Sequence, residues 1–207
     1  MTLFSISDVN FKDVIKYSNI TIKQNRATFI CGKSGSGKST LLKFLNASVS
    51  VDSGNIFYQN KSIKEYDTIM LRKEVMLVSQ NVFLFDDTIE NNFLEYYRYR
   101  ETTPPDMEKM QEYLQICLAD FSVNAMCNEM SGGERQRVFI AICLSFMPKV
   151  LLLDEPTSAL DEQTSKKLID NLKNYCMKNG ITLIIVCHDK KLIERYADEV
   201  ICLNSEV

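Results

Sequence analysis

Gly32-Lys33-Ser34-Gly35-Ser36-Gly37-Lys38-Ser39, followed by Thr40, is the stretch that decides the fold. It fits G-x-x-x-x-G-K-[ST], the phosphate-binding P-loop. The glycines let the chain turn so that successive backbone N–H groups point at phosphate oxygens. Lys38 supplies a point charge to the β and γ phosphates, and the Ser39 hydroxyl is a ligand for Mg²⁺. A Gly/Ser linker is the plain alternative. Against it, Thr28-Phe29-Ile30-Cys31 reads as a strand before the loop. Ser39, Leu41, Leu42, Phe44 and Leu45 read as a helix after it, whose positive end faces the anion.

Working outward, residues 3–9 and 19–31 are strand material, and Asp52-Ser53-Gly54 is a turn before Ile56-Phe57-Tyr58. Val75 to Ser79 is a short apolar strand. From about residue 80 the texture changes. Tyr96-Tyr97-Arg98-Tyr99-Arg100 and Thr102-Thr103-Pro104-Pro105 read as a polar, turn-rich boundary. Met107, Met110, Tyr113, Leu114 and Cys117 recur at helical spacing, and a second helical pattern runs from Ser131 to about Phe146. Lys149 to Asp154 is a buried strand, Asp161 to Lys178 a helix, and Ile181 to Cys187 a final core strand. Strands alternating with helices predict an α/β fold with a mainly parallel core sheet, an N-terminal antiparallel β part and a helical segment. The expected organisation is one domain, 1–207, with a core of 1–80 and 138–207 and a helical subdomain of about 81–137.

The composition, 45% hydrophobic and 25% charged over 207 residues, is globular. A net charge of -3 argues against a nucleic-acid partner. One histidine in the whole chain excludes a His-rich metal site. None of the seven cysteines has C-x-x-C spacing, so they read as buried free thiols in a reducing compartment. The longest nearly apolar run, Val138 to Met147, is half of what a membrane-spanning helix needs, about 20 residues. With no signal peptide pattern either, the expectation is a soluble chain that reaches a membrane only through another protein.

Two further stretches carry chemistry. Val150-Leu151-Leu152-Leu153-Asp154-Glu155 resembles a Walker B segment, a buried strand delivering carboxylates to the sheet edge where ligands bind. Asp154 would hold Mg²⁺ and Glu155 would act as general base on the attacking water. Solvated acids at a strand end are the plain alternative. Ser131-Gly132-Gly133-Glu134-Arg135-Gln136 is at once a capping box and an open helix start suited to an anion.

These three motifs, in this order, resemble the ATP-binding cassette ATPases, the engines of ABC transporters, over essentially the whole chain. Ser131 to Gln136 looks like the family signature. The resemblance implies that Gln80 is the Q-loop glutamine, which senses Mg²⁺ and the attacking water, and that Ser158-Ala159-Leu160-Asp161 is the D-loop. It implies that His188 is the switch histidine that contacts the γ-phosphate, and that Phe11 stacks on adenine. Departures are Met130 for the usual Leu, Glu134 for the commonest Gln, Phe11 for the usual Tyr, and Asn25 where many members have Gly.

The nucleotide contacts implied are Phe11, Gly32 to Thr40, Ser131, Gly132, Gly133, Glu134 and Asp161. Glu155, His188 and Gln80 would carry catalysis, and Ser39, Gln80 and Asp154 would hold Mg²⁺. The family mechanism implies a head-to-tail homodimer that sandwiches ATP between one chain's P-loop and the other's signature. It further implies an integral membrane permease contacted through Gln80 to Asn92. That places the chain in the cytoplasm, on the inner face of the membrane. Asp87 to Asn92 resembles the corresponding segment of export-type cassettes, and Phe146 to Val150 with the compact C-terminus looks like the ATPase of a bacterial iron-efflux system. A soluble regulatory ATPase acting on a non-membrane partner is the competing reading. A module that merely holds ATP is opposed by the presence of Lys38, Glu155, Gln80 and His188 together.

Overall fold

Parallel strands buried on both faces read as near-continuous apolar runs, and the two central ones here do, apart from Asp154 and Thr182 at their ends. In the computed structural model, which describes residues 1–203, β8 (Val150–Asp154) and β9 (Thr182–Val186) are buried at every position. They are the centre of a five-stranded, all-parallel sheet that also contains β4 (Ala27–Gly32), β7 (Val75–Val78) and β10 (Glu199–Leu203). The order is β10-β4-β9-β8-β7. Its register sets Ile30 beside Val186, Val186 beside Asp154 and Leu153 beside Val78. The residues just past these positions therefore share one carboxyl edge.

The second sheet is antiparallel. It joins β1 (Thr2–Phe11), β2 (Ile15–Tyr17), β3 (Ile20–Lys23), β5 (Ser53–Tyr58) and the two-residue β6 (Lys61–Ser62). It packs over α1 (Lys38–Leu45) through Phe4, Ile6, Ile22, Leu41, Phe44 and Tyr58, all essentially without exposure. The remaining helices are α2 (Thr68–Glu74), α3 (Ile89–Arg100), α4 (Met107–Ile116), α5 (Gly132–Ser145), α6 (Glu162–Lys178) and α7 (Lys190–Tyr196). A continuous apolar cluster runs from Phe29, Leu151 and Leu153 in the parallel sheet to Phe93, Met110 and Leu114 in α3 and α4. Helix α5 runs unbroken through residue 137.

The architecture is the expected α/β one, and four local expectations change. Ser53 and Gly54 are not part of a turn before a strand but open β5, where Ser53 pairs with Asn10. Tyr96 to Arg100 is the last part of α3, not a turn-rich boundary. Thr88 caps that helix, and Ile89, Phe93 and Tyr97 bury one stripe under a polar exterior. Ile181 to Cys187 is not the final core strand, because β10 follows and pairs with β4. Lastly, five cysteines are buried, but Cys31 is half-buried and Cys202 exposed. Asn25 adopts the left-handed region at φ 55°, a conformation asparagine tolerates better than most residues, which accounts for the family's glycine there.

Candidate active site

The P-loop follows from the geometry of its glycines. Gly37 caps α1 in the left-handed region at φ 89°, and a side chain there would collide with the Tyr17 hydroxyl at 2.5 Å. That hydroxyl donates to the Gly37 carbonyl at 2.7 Å and clamps the loop from β2. Sequence reasoning missed Tyr17, because an aromatic in a short strand gives no local signal of its target.

Helix α1 also differs from its neighbours. Among the described residues, side chains cap the other six α-helices, through Asp67, Thr88, Asp106, Ser131, Asp161 and Asp189, while α1 has no side-chain cap and, like α2 and α7, no acid in its first turn. Its free N–H groups and positive dipole end thus suit an external anion. Lys38 lies buried beside them, its ammonium donating to the carbonyls of Gly32 at 3.1 Å and Lys33 at 2.9 Å.

Past β8, the Ser39 hydroxyl donates to Asp154 Oδ1 at 3.0 Å. Burial pushes the Asp154 carboxyl above its ordinary range, and the Ser39 hydrogen bond works against that rise. A hydroxyl and a carboxylate brought together beside an anion cradle are the hard oxygen donors that Mg²⁺ takes. Glu155 has φ 52°, and its N–H donates to the Val186 carbonyl at 3.2 Å. This turn aims its carboxylate at His188, with Oε1 and Nε2 2.7 Å apart. Thr157, Ser158, Leu160 and Asp189 join Glu155 and His188 around a cavity of about 320 Å³.

The other expected residues are placed as follows. Gln80 is exposed just past β7, on the same edge. Phe11 ends β1 and meets Phe44 edge-on, with centroids 5.2 Å apart, while the Lys12 ammonium lies 5.2 Å from its ring. Ser131 caps α5, and Glu134 accepts from both its N–H at 2.8 Å and its hydroxyl at 2.6 Å. These bonds hold the Glu134 carboxyl below its usual range. A Cβ at Gly133 would lie 3.3 Å from the Ala159 side chain and 3.8 Å from that of Leu160, so the α5 start runs close to the 158–161 loop of the same chain. Asp161 caps α6, accepting from the N–H groups of Gln163 and Thr164 and from the Thr164 hydroxyl. The two glycine-rich stretches are thus built differently: α1 leaves its start open, whereas α5 closes its own with Glu134.

Comparison with known proteins places this edge in context. The family model described as "ABC transporter" matches residues 15–158. The "Probable iron export ATP-binding protein FetA" of Escherichia coli K12 is 33% identical over 191 residues, covering 92% of this chain and 84% of its own. The "Glutamine transport ATP-binding protein GlnQ" of Geobacillus stearothermophilus is also 33% identical, covering 92% of this chain and 81% of its own. Among solved structures, cbiO1 of Clostridium perfringens, described as part of the ABC transporter complex cbiONQ, superposes with TM-score 0.84 at 27% identity, covering 100% of this chain and 87% of its own. A dimeric post-hydrolysis structure of the cassette MJ0796 bound to ADP and Pi superposes with TM-score 0.83 at 26% identity, covering 99% and 97%.

Proposed function

The chain belongs to the ABC transporter family of ATP-binding cassette ATPases, and from that premise we propose that it is the ATP-hydrolysing subunit that drives a separate membrane permease. The observation that carries this reading is the meeting of uncapped α1, the Ser39–Asp154 pair and the Glu155–His188 pair at one sheet edge.

The proposed roles are consistent with these positions. The α1 N–H groups and Lys38 hold the phosphates, and Phe11 offers its face to adenine. Mg²⁺, held by Ser39, Asp154 and Gln80, would neutralise developing phosphate charge when bound. Glu155 takes the proton of the attacking water, and His188 orients that carboxylate and faces the γ-phosphate. Each chain carries one P-loop and one signature. A second copy, head to tail, brings Ser131, Gly132, Gly133 and Glu134 to the phosphates, with Asp161 at the seam. The dimeric neighbour bound to ADP and Pi supports a dimer as the working state. ATP closes the dimer because it binds the closed state better, and hydrolysis reopens it.

No helix among the described residues is long and apolar enough to cross a membrane. The proposal therefore needs a permease, contacted through residues 80–92, and it puts the chain at the inner membrane face. The one-domain organisation, with 81–137 as a helical subdomain, belongs to the same proposal. For cargo, metal export has the support of the FetA match, and the GlnQ match at equal identity supplies the competitor. The test is to tag Glu155→Gln, express it in its own cell, solubilise the membranes gently and identify what copurifies. A polytopic membrane protein at near-equal amount supports the proposal and narrows the cargo. Recovery without any membrane protein overturns it.

A further inference from the structure

Cys31 and Cys202 are direct partners across the parallel β4–β10 pair, and their Sγ atoms lie 2.7 Å apart. Neighbouring strands run about 4.8 Å apart, within the roughly 4.4–6.8 Å Cα separation that a disulfide spans. The two sulfurs need only close by well under an ångström to bond at about 2.05 Å. Both line a cavity of about 490 Å³, whose wall includes Gly32, Lys33, His188, Lys190 and Glu194. A small molecule can therefore reach the pair from the side that also holds the P-loop.

The strand that carries Cys202 is packed on the P-loop itself. Leu203 is the register partner of Gly32, and a Cβ on Gly32 would lie 2.3 Å from the Leu203 carbonyl oxygen. Lys38 in turn rests its ammonium on the Gly32 carbonyl at 3.1 Å. These contacts would carry a pull at Cys202 through Leu203 to Gly32 and on to Lys38.

We propose that Cys31 and Cys202 form a reversible disulfide when the chain meets a low-molecular-weight disulfide, and that the closed bond weakens ATP binding at the adjoining P-loop. Cys202 is the exposed thiol and attacks first. Its thiolate bonds to one sulfur of the small disulfide, and the other sulfur leaves as a thiolate. Cys31 then loses its proton to water, attacks the Cys202 sulfur and expels the second small thiol. Two protein thiols are oxidised and one small disulfide is reduced to two thiols. Partial burial and the Cys202 neighbour push the Cys31 thiol up to about 11, which slows its ionisation, so the second step relies on the partner sulfur being held beside it.

The effect on ATP rests on the nucleotide-site reading, whereas the bond itself does not. The full chain is therefore split into samples treated with reduced and oxidised glutathione, and each is peptide-mapped without reductant and titrated with ATP. The expected result is a Cys31–Cys202 cross-linked peptide and an ATP affinity lowered about tenfold, or 1.4 kcal/mol. Both changes should reverse with dithiothreitol, and Cys202→Ser should show neither while binding ATP normally. Glutathione remaining on Cys202, or thiols that stay free, would overturn the bond. A complete bond with unchanged ATP affinity would overturn the switch. If the reduced chain does not bind ATP at all, the nucleotide-site reading and the switch both fall, and the peptide map still decides the bond.

Discussion

His188 and Glu155 follow different strands, yet His188 Nε2 lies 2.7 Å from Glu155 Oε1. Strand register creates this pairing, since Asp154 and Val186 are partners and each chain turns out of the sheet just beyond them. The left-handed turn at Glu155 completes it. Removing the two side chains should therefore have related but unequal effects. Glu155→Gln should lower hydrolysis by about 10² to 10⁴ with ATP binding retained, the usual worth of a positioned base. His188→Ala should lower kcat by less, and in the Glu155→Gln background it should add little. Steady-state rates of both single variants and the double variant check this, and independent, multiplying effects would contradict it.

Lys38 makes its contacts within the loop that it serves. Lys38→Ala should weaken ATP binding about 10- to 100-fold, the range of a lost charge-assisted hydrogen bond. Titration with a fluorescent ATP analogue measures it. Normal affinity would remove Lys38 from the phosphate site.

Tyr17 reaches the same loop from β2 through one neutral hydrogen bond at 2.7 Å. Tyr17→Phe keeps the ring and removes only that bond, so ATP affinity should fall by a modest factor, about fivefold for 1 kcal/mol. The Tm should drop by about 2–4 °C for the same energy in a domain of this length. Calorimetry and titration together report both, and a variant that matches wild type in both would deny the clamp.

Arg135 joins the α5 start to the segment after Gln80, donating to the carbonyls of Cys127 at 2.6 Å and Leu84 at 2.9 Å. Asn92, fully buried, fixes the same segment through the N–H and carbonyl of Phe85. Arg135→Ala should cost about 1.5–3 kcal/mol of stability and reduce stimulation of ATPase by the copurifying permease, with basal turnover per folded molecule retained. Intact stimulation would show that the two segments move independently.

Asp198 accepts from the Ala27 N–H at 2.8 Å and pairs with Lys173 at 2.6 Å, fastening β4 and α6 at the start of β10. Partial burial pushes its carboxyl up, but the Ala27 hydrogen bond and Lys173 outweigh that and hold it below the usual range. The folded state thus prefers the ionised form. Its contribution is present above the unfolded carboxylate pKa and is lost as pH falls through the folded value. Asp198→Asn should cost about 1–3 kcal/mol at neutral pH, with the gap to wild type closing below about pH 4. Urea denaturation across that range measures it, and a gap independent of pH would contradict the ion-pair account.

The parallel core was legible because its strands are short apolar runs and its P-loop lies between a strand and a helix. Other elements escaped for identifiable reasons. Helix α3 hides a stripe of Ile89, Phe93 and Tyr97 among Glu, Asn and Arg, so its end looked like a boundary. Strand β10 lies at the sheet edge, where only Leu203 is buried, and a half-exposed run lacks the continuous apolar signal of β8. At the candidate site, the motifs singled out residues but not their pairings. That Glu155 meets His188, that Tyr17 meets Gly37 and that Cys31 meets Cys202 depend on register and strand order, which one-dimensional spacing does not carry.

If one chain holds only half of each working site, as proposed, the oligomeric state of Glu155→Gln must change between samples with and without ATP and Mg²⁺. Light scattering should find a monomer without nucleotide and a dimer with it, and Ser131→Arg in the same background should bind ATP yet stay monomeric. A Glu155→Gln chain that remains monomeric at saturating ATP, while wild type hydrolyses it at the same dilution, would contradict the account.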